Sequence, residues 1–315
     1  MEAPACVVHL GGREPHLSQI AAGFTLLHQQ KQLRVRFGGF LPAGAYPHKR
    51  VLRAAFEDGP VLWYDLADGF ADIPRDALDA CLEGAALCFK RSFDPADHQG
   101  MRHRTKIRPL GLNYHVTCKG SFFPQAGAPT AEEYMSHNSY PAYRGLFVTR
   151  LLEGDGKEIE EINAFRIACL RACQKKLGER FVGGLLPEKT ARALAPEFIF
   201  ERTGRADCLR LRKENFVCVT TEGPQRSLGW GIAECLAAGR AVLCPPPRFH
   251  LPGRFAKGRN FGAFETPEGC AELLRQALDT VPWIHRMEEA NFAYYQNYVM
   301  PAAIVRQSLK ACGLF

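Results

Sequence analysis

The chain has 315 residues, of which 46% are hydrophobic and 23% charged, with a formal net charge of +7. That length accommodates two domains with cores of ordinary size, and the balance is that of a soluble globular protein. No apolar run of the roughly 18 residues needed to span a bilayer occurs, and the opening MEAPACVVHLGG carries an acid where a secretory signal carries basic residues, so a cytosolic location is expected.

In chain order, Val7 to Leu10 reads as a strand, Leu17 to Gln30 has helical periodicity, and LRVRF at 33–37 is a second strand. VLWY at 61–64 is a third, Arg75 to Glu83 a helix, and Ala85 to Phe89 a fourth strand. Residues 118–143 lack a period and are rich in turn formers, so the interdomain crossing is expected there. The second half opens with a strand at Leu146 to Thr149, a helix over Ile162 to Leu177 and a strand and turn at Phe181 to Gly184. Cys270 to Leu278 is a further helix, and Glu288 to Cys312 reads as two helices meeting at a kink on Pro301. Strands alternating with helices predict an α/β protein of two Rossmann-like, doubly wound domains facing a cleft. The expected divisions are 1–143, 144–287 and a kinked helical segment at 288–315.

The most informative stretch is FVCVTTEGPQRSLGWGIAECLAAGRAVLCPP, residues 216–246. It reads as strand, polar loop, helix and strand, with Leu228, Ile232, Cys235 and Leu236 on one helical face and Gly239 as a left-handed stop. A helix between two buried strands is a βαβ unit, whose ligands lie beyond the carboxyl ends of the strands, beside a helix N-terminus that attracts phosphate. The loop is too poor in glycine for a dinucleotide fingerprint. Residues 253–259 (GRFAKGR) lack the Lys-Ser/Thr pair of a P-loop.

The phrase E-C-L-A-A-G at 234–239 resembles the donor-binding segment of GT-B glycosyltransferases. KRSFD at 90–94, KIRPLGLNYHV at 106–116, TRLLEG at 149–154, NAFRIACLRACQKKLGERFVGG at 163–184 and N-x-x-Y-Y-x-x-Y at 291–298 are similar in form to segments of a group of bacterial glycosyltransferase-like proteins. The resemblance implies a nucleotide-sugar-dependent glycosyltransferase with a GT-B fold, in which the helix N-terminus faces the donor diphosphate and Glu234 holds ribose hydroxyls. It places Arg150 and Arg166 near the donor, with Glu222, Gly223, Ser227, Leu228 and Gly229 in the donor loop. The retaining pattern E-x7-E is broken, since Arg226 stands eight residues before Glu234 and the nearest upstream acid is Glu222. An inverting reaction is therefore expected.

An inverting transfer needs a base for the acceptor hydroxyl. Asp68 and Asp65 follow an apolar strand and precede Gly69, which makes either a candidate, against a turn whose aspartates bond their own backbone. His9, beside Gly11 and Gly12, is the rival base. Gly11, Gly12, Lys90, Arg91, Lys106 and Arg108 are candidates for the acceptor side or cleft, with a solvated basic face as the alternative for the cations. No D-x-D pair occurs, so neither metal nor other cofactor is expected, and arginine, lysine and helix N-termini must meet the diphosphate charge. The arginine at 166 also fits a solvated helix face, Glu234 an exposed helix position, and Ser227 a helix cap. Gly229 and Gly231, each costing about 1 kcal/mol in a helix interior, suggest close approach of a ligand or backbone.

The twelve cysteines mostly lie in apolar runs and read as buried free thiols. The basic surplus suits an enzyme of diphosphates, work near anionic lipid, or nucleic-acid binding, but its clusters are short and no nucleic-acid motif accompanies them. Expected partners are a nucleotide-sugar donor and a glycan, lipid-linked or small-molecule acceptor, with peripheral membrane association open. A nucleic-acid-binding or -modifying protein and a GT-B-like binder without catalysis are the alternatives.

Overall fold

In a computed structural model of the chain, residues 2–57, 59–70, 73–135, 142–201 and 204–315 are described. They group into two compact units, one of residues 1–133, 248–254 and 296–315, the other of 134–247 and 255–295. Of the expected crossing at 118–143, residues 136–141 lie outside the described residues.

The first unit is built on a six-stranded sheet. Strands β1 (Ala5–Leu10) and β2 (Arg34–Phe40) flank helix α1 (Ser18–Gln29). Strand β3 (Val51–Phe56) turns directly into β4 (Val61–Asp65). Helix α2 (Arg75–Glu83), β5 (Leu87–Lys90) and β6 (Ile107–Pro109) follow, and α3 (Ala131–Met135) lies where the first unit gives way to the second. The order is β2-β1-β3-β4-β5-β6, with β3 antiparallel to both neighbours and every other pairing parallel. The inserted β3 has a physical origin in its connection: only a short turn separates Phe56 from Val61, which allows a hairpin and not a crossover. One face of the sheet is closed by Ile20, Phe24 and Leu27 of α1 and by Ile304, Val305 and Leu309 of the last helix, Pro301–Lys310. These helices meet at Gly23, where a Cβ would overlap the Pro301 carbonyl. Each large apolar side chain buried there contributes about 1.5–3 kcal/mol.

The second unit holds a parallel sheet of order β11-β10-β9-β7-β8. Its elements are β7 (Ala142–Thr149), α4 (Lys157–Leu177), β8 (Phe181–Leu185), α5 (Lys189–Leu194), α6 (Arg205–Glu214), β9 (Asn215–Val219), α7 (Trp230–Ala237), β10 (Ala241–Cys244), β11 (Gly262–Ala263), α8 (Pro267–Asp279) and α9 (Val281–Tyr294). A π-helical turn at Tyr295–Val299 leads into α10 (Pro301–Lys310). The expected βαβ unit is β9-α7-β10, and Gly239, at φ +62°, turns the chain from the end of α7 toward β10. Both strands are buried throughout, which is why their sequences read as continuous apolar runs. Leu228 lies outside α7, which starts two residues later at Trp230. The cysteines are free, with Cys81, Cys208 and Cys312 partly exposed and the others buried.

Candidate functional site

In the second unit, the carboxyl ends of β7 and β9 and the start of α7 bring together Arg150, Thr220, the loop 221–229 and Arg166 of α4. Arg166 is 6% exposed. Its Nε donates to Thr221 Oγ1 at 3.0 Å, Nη1 to the Arg150 carbonyl at 2.7 Å and Nη2 to the Glu222 carbonyl at 2.8 Å. No carboxylate pairs with it among the described residues. Burial, reinforced by the like charge of Arg150, lowers its guanidinium to about 10. A solvated helix arginine is thus ruled out. Arg150 extends outward, its side chain 62% exposed and 3.4 Å from Glu188.

The loop after β9 is tightly folded. Glu222 bridges Leu228, the Gly223 N–H donates to the Ser227 carbonyl at 2.8 Å, and Glu222 is ion-paired with Arg226 at 3.2 Å. Gln225 and Arg226 take left-handed φ values of 55° and 57°, unusual for residues other than glycine. The Gln225 N–H is held by Glu158 at 2.6 Å. A Cβ on Gly223 would stand 2.8 Å from Ser227 Oγ. Ser227 is buried but is not the cap of α7. Gly229 occupies that position, and no side chain caps it. Gly229 is therefore not in the helix interior, and a Cβ there would meet only Thr221 O at 3.9 Å. A Cβ on Gly231 would stand 3.2 Å from Thr220 Cγ2, so this glycine lets α7 approach the end of β9. Thr220 Oγ1 is buried with no hydrogen-bond partner among the described residues. Neither Thr220 nor Thr221 stands out in the sequence beyond its place in the loop; two hydroxyl residues at a strand's carboxyl end are the available signal.

Glu234 is not an exposed helix residue. It is buried, with Oε1 3.0 Å from Arg205 and Oε2 2.6 Å from Arg212, both on α6, and Tyr134 donates to Oε1 at 3.4 Å. Burial alone would lower the Arg212 guanidinium, but the adjacent Glu234 carboxylate more than offsets this and raises it. Arg205 also lies over the Trp230 ring at 5.8 Å.

In the first unit, β4 and β5 pair with Asp65 opposite Lys90, and both side chains are fully buried. Lys90 Nζ donates to Asp65 Oδ1 at 3.1 Å and lies 4.7 Å above the Phe70 ring. Tyr46 OH donates to Asp65 Oδ2 at 2.9 Å, and His48 Nε2 is 3.1 Å from the same oxygen. Burial alone would push the Asp65 carboxyl up; Lys90, then His48 and the Ala67 N–H, more than offset it and hold the group well below the usual carboxylate range. Sealed in this way, Asp65 cannot reach an acceptor, and Lys90 is not part of a solvated face. Asp68 differs. Its carboxylate is 22% exposed and accepts from Arg91 at 2.7 Å and Arg50 at 2.9 Å, Arg91 itself being buried. Next to this group, burial and then Arg91 and Arg50 lower the His16 imidazole to about 3, which keeps it neutral.

The remaining candidates separate from this edge. His9 alternates with the buried Val8 and Leu10, so it lies on the other face of β1, where burial, Arg53 and Arg36 lower its imidazole. Gly11 and Gly12 serve packing: the Gly11 N–H donates to Val51 O at 2.7 Å, and Cβ atoms would crowd Val51 and Lys49. Lys106 caps the C-terminus of α2 through the Leu82 and Glu83 carbonyls, both at 2.8 Å, at the amino edge of the sheet. The Arg108 guanidinium donates to the Thr105 and Ile107 carbonyls of its own segment. Among the described residues, no group of three His, Cys, Asp or Glu side chains is placed to hold a metal, and no helix is long and apolar enough to cross a membrane.

No protein-family model matches this chain, and no curated protein matches it in sequence at a significant level. Solved structures match it in fold. HepE of Anabaena, solved with UDP and glucose, is 11% identical, with a TM-score of 0.54 over 99% of each chain. WaaG, a glycosyltransferase of lipopolysaccharide biosynthesis, is 13% identical, with a TM-score of 0.52 over 96% of this chain and 97% of its own. MnaA of S. aureus, solved with UDP, is 12% identical, with a TM-score of 0.51 over 96% of this chain and 95% of its own. At such identities the likeness is one of architecture, and the architecture of this chain is that of the GT-B glycosyltransferase-like fold.

Proposed function

We propose that the protein transfers a sugar from a nucleotide-sugar donor to an acceptor hydroxyl, with inversion and without a metal. One observation carries the reading: Arg166 is a buried cation with no carboxylate partner among the described residues, at the carboxyl edge of a parallel sheet. A charge held in that state is stabilised by an incoming anion. Beside it are the start of α7, which no side chain caps and whose N–H groups and dipole favour phosphate, the Thr220 hydroxyl, without a partner among the described residues, and the exposed Arg150. Together they suit the diphosphate of a nucleotide sugar. Because neighbours of the same fold were solved with UDP, a uridine nucleotide is the first to test.

The base in this reading is Asp68, the one carboxylate of the three candidate bases that is both partly exposed and fixed in orientation by two guanidiniums. It would take the acceptor proton as the hydroxyl attacks the anomeric carbon and the nucleoside diphosphate departs. The acceptor is a hydroxyl of a glycan, a lipid-linked glycan or a small molecule. A thermal-shift screen with UDP, GDP, CDP and their sugars tests the donor site, since specific binding raises the melting temperature by mass action. Sugar release or transfer from the nucleotide that binds, measured in excess EDTA, tests the chemistry. Binding without turnover on any acceptor would reduce the protein to a nucleotide binder, and activity that chelation abolishes would refute the metal-independent mechanism.

A further inference from the structure

Strand β2, Arg-Val-Arg-Phe-Gly-Gly-Phe, forms one edge of the first unit's sheet. A bulge opposite Val8 and His9 inserts Gly38, so that Phe37 pairs with Val8 and Phe40 with Leu10. Residues three apart in a regular strand point to opposite faces; the bulge instead sets both rings on the same face. They lie there past the margin of the core, 38% and 45% exposed. Phe122 joins them, stacked on Phe37 at 5.2 Å, while Phe40 meets Phe37 edge-on at 6.3 Å. The result is a small ordered aromatic cluster open to solvent.

Cations flank the strand on both of its faces. The Arg13 guanidinium lies over the Phe40 ring at 5.5 Å, and Arg34 and Arg36, paired with Ala5 and Val7, project from the opposite face of the same edge strand. The Lys119 carbonyl is tied to Gln29 at the end of α1, three residues before Phe122. The one ion pair on β2 among the described residues, Arg34 with Glu2, is largely exposed on both sides, and such pairs contribute little. The edge therefore combines exposed aromatic rings with an excess of positive charge.

A second copy of the chain is a poor fit to this edge, because charged residues and a bulge on an edge strand oppose strand-to-strand pairing. An anionic bilayer surface is a good one. Phenylalanine rings bury at the boundary between headgroups and acyl chains, and each arginine or lysine close to anionic lipid adds attraction that salt screens. We propose that the β2 edge, through Phe37, Phe40 and Phe122 with Arg13, Arg34 and Arg36, docks the first unit onto an anionic lipid surface. The proposal is independent of the donor site, since none of these residues belongs to it.

The test is co-sedimentation of the full chain with phosphatidylcholine vesicles, with and without phosphatidylglycerol, at low and high salt. The wild-type protein is expected to bind the vesicles containing phosphatidylglycerol and to release them in high salt. Arg34→Gln/Arg36→Gln should weaken that binding by about 30-fold, and Phe37→Ser/Phe40→Ser by about tenfold or more. Both variants should stay folded: the arginines are exposed, and the two rings, more than half covered by their neighbours, cost the Phe37→Ser/Phe40→Ser variant only a modest fall in melting temperature. Failure of the wild-type protein to bind the anionic vesicles overturns the proposal, as does binding that survives both double substitutions. A dimer in solution that the Phe37/Phe40 variant dissolves would assign the edge to a second copy and overturn it as well.

Discussion

Arg166→Gln removes a buried charge that has no carboxylate beside it among the described residues. A guanidinium carries five N–H groups, and the three bonds to Thr221, Arg150 and Glu222 leave two without a described acceptor. Burial and Arg150 lower the group from its ordinary value to about 10, a displacement worth roughly 3 kcal/mol against its charged form. The folded state thus binds this proton less tightly than the unfolded chain, and the charge subtracts from stability at every pH below about 10. A diphosphate lying against the remaining donors relieves that cost and strengthens its own binding by up to about 3 kcal/mol, or about 100-fold. Glutamine forfeits this gain yet can still bond one of the loop carbonyls, so the unliganded variant should lose less stability than three broken charge-assisted bonds would suggest. Calorimetric titration with UDP and urea unfolding of the free protein read the two quantities separately. Unchanged UDP affinity in the folded variant would refute the reasoning. An equal loss for uridine, which carries no phosphate, would refute it too by revealing a packing role.

Glu234→Ala leaves Arg205 and Arg212 without their carboxylate, and breaking such a buried pair costs about 3–5 kcal/mol, seen as a large fall in the urea midpoint. Asp68→Asn keeps the shape that Arg50 and Arg91 hold while removing the base, so turnover should fall roughly 100-fold with UDP affinity unchanged in the same titration. Asp65 supplies a pH dependence: its carboxyl is lower in the folded state than in the unfolded chain, so its contribution is complete above the unfolded value and is lost progressively as pH falls from there through the folded value. Urea unfolding between about pH 2 and pH 5 should show this slope, and Asp65→Asn should flatten it while destabilising the protein at neutral pH by leaving Lys90 buried without a counter-charge.

Some of this was legible in the sequence and some could not be. The β9-α7-β10 unit was readable because both strands are buried on two faces, and α2 because its apolar spacing is helical. Strand β3 escaped notice because Val-Leu-Arg-Ala-Ala-Phe alternates weakly, and its antiparallel insertion depends on a turn. Helix α6 was missed for a related reason: Arg-Ala-Asp-Cys-Leu-Arg-Leu-Arg-Lys-Glu buries little beyond Leu211 and shows almost no apolar stripe. That omission hid the fate of Glu234, whose two arginine partners both stand on α6. The sealing of Asp65 was equally out of reach, because it follows from the register that sets Asp65 against Lys90 across two strands, with Tyr46 and His48 arriving from an irregular segment. Asp68 could be singled out as the end of a strand-edge loop, but not its two guanidinium partners.

The packing of α10 on α1 bears on the order in which the protein can be made. Ile304, Val305 and Leu309 belong to the same core as Ile20 and Phe24, and the Tyr64 hydroxyl lies 2.6 Å from Ser308 Oγ. During synthesis, residues 134–300 must emerge between the two parts of that core, about 10–30 s at roughly 5–20 residues per second. Throughout that interval the groove at Gly23, shaped to admit the Pro301 backbone, stays open, and by its end the second unit has all of its strands and helices. On the ribosome, the unit whose sequence comes first is therefore the last to close.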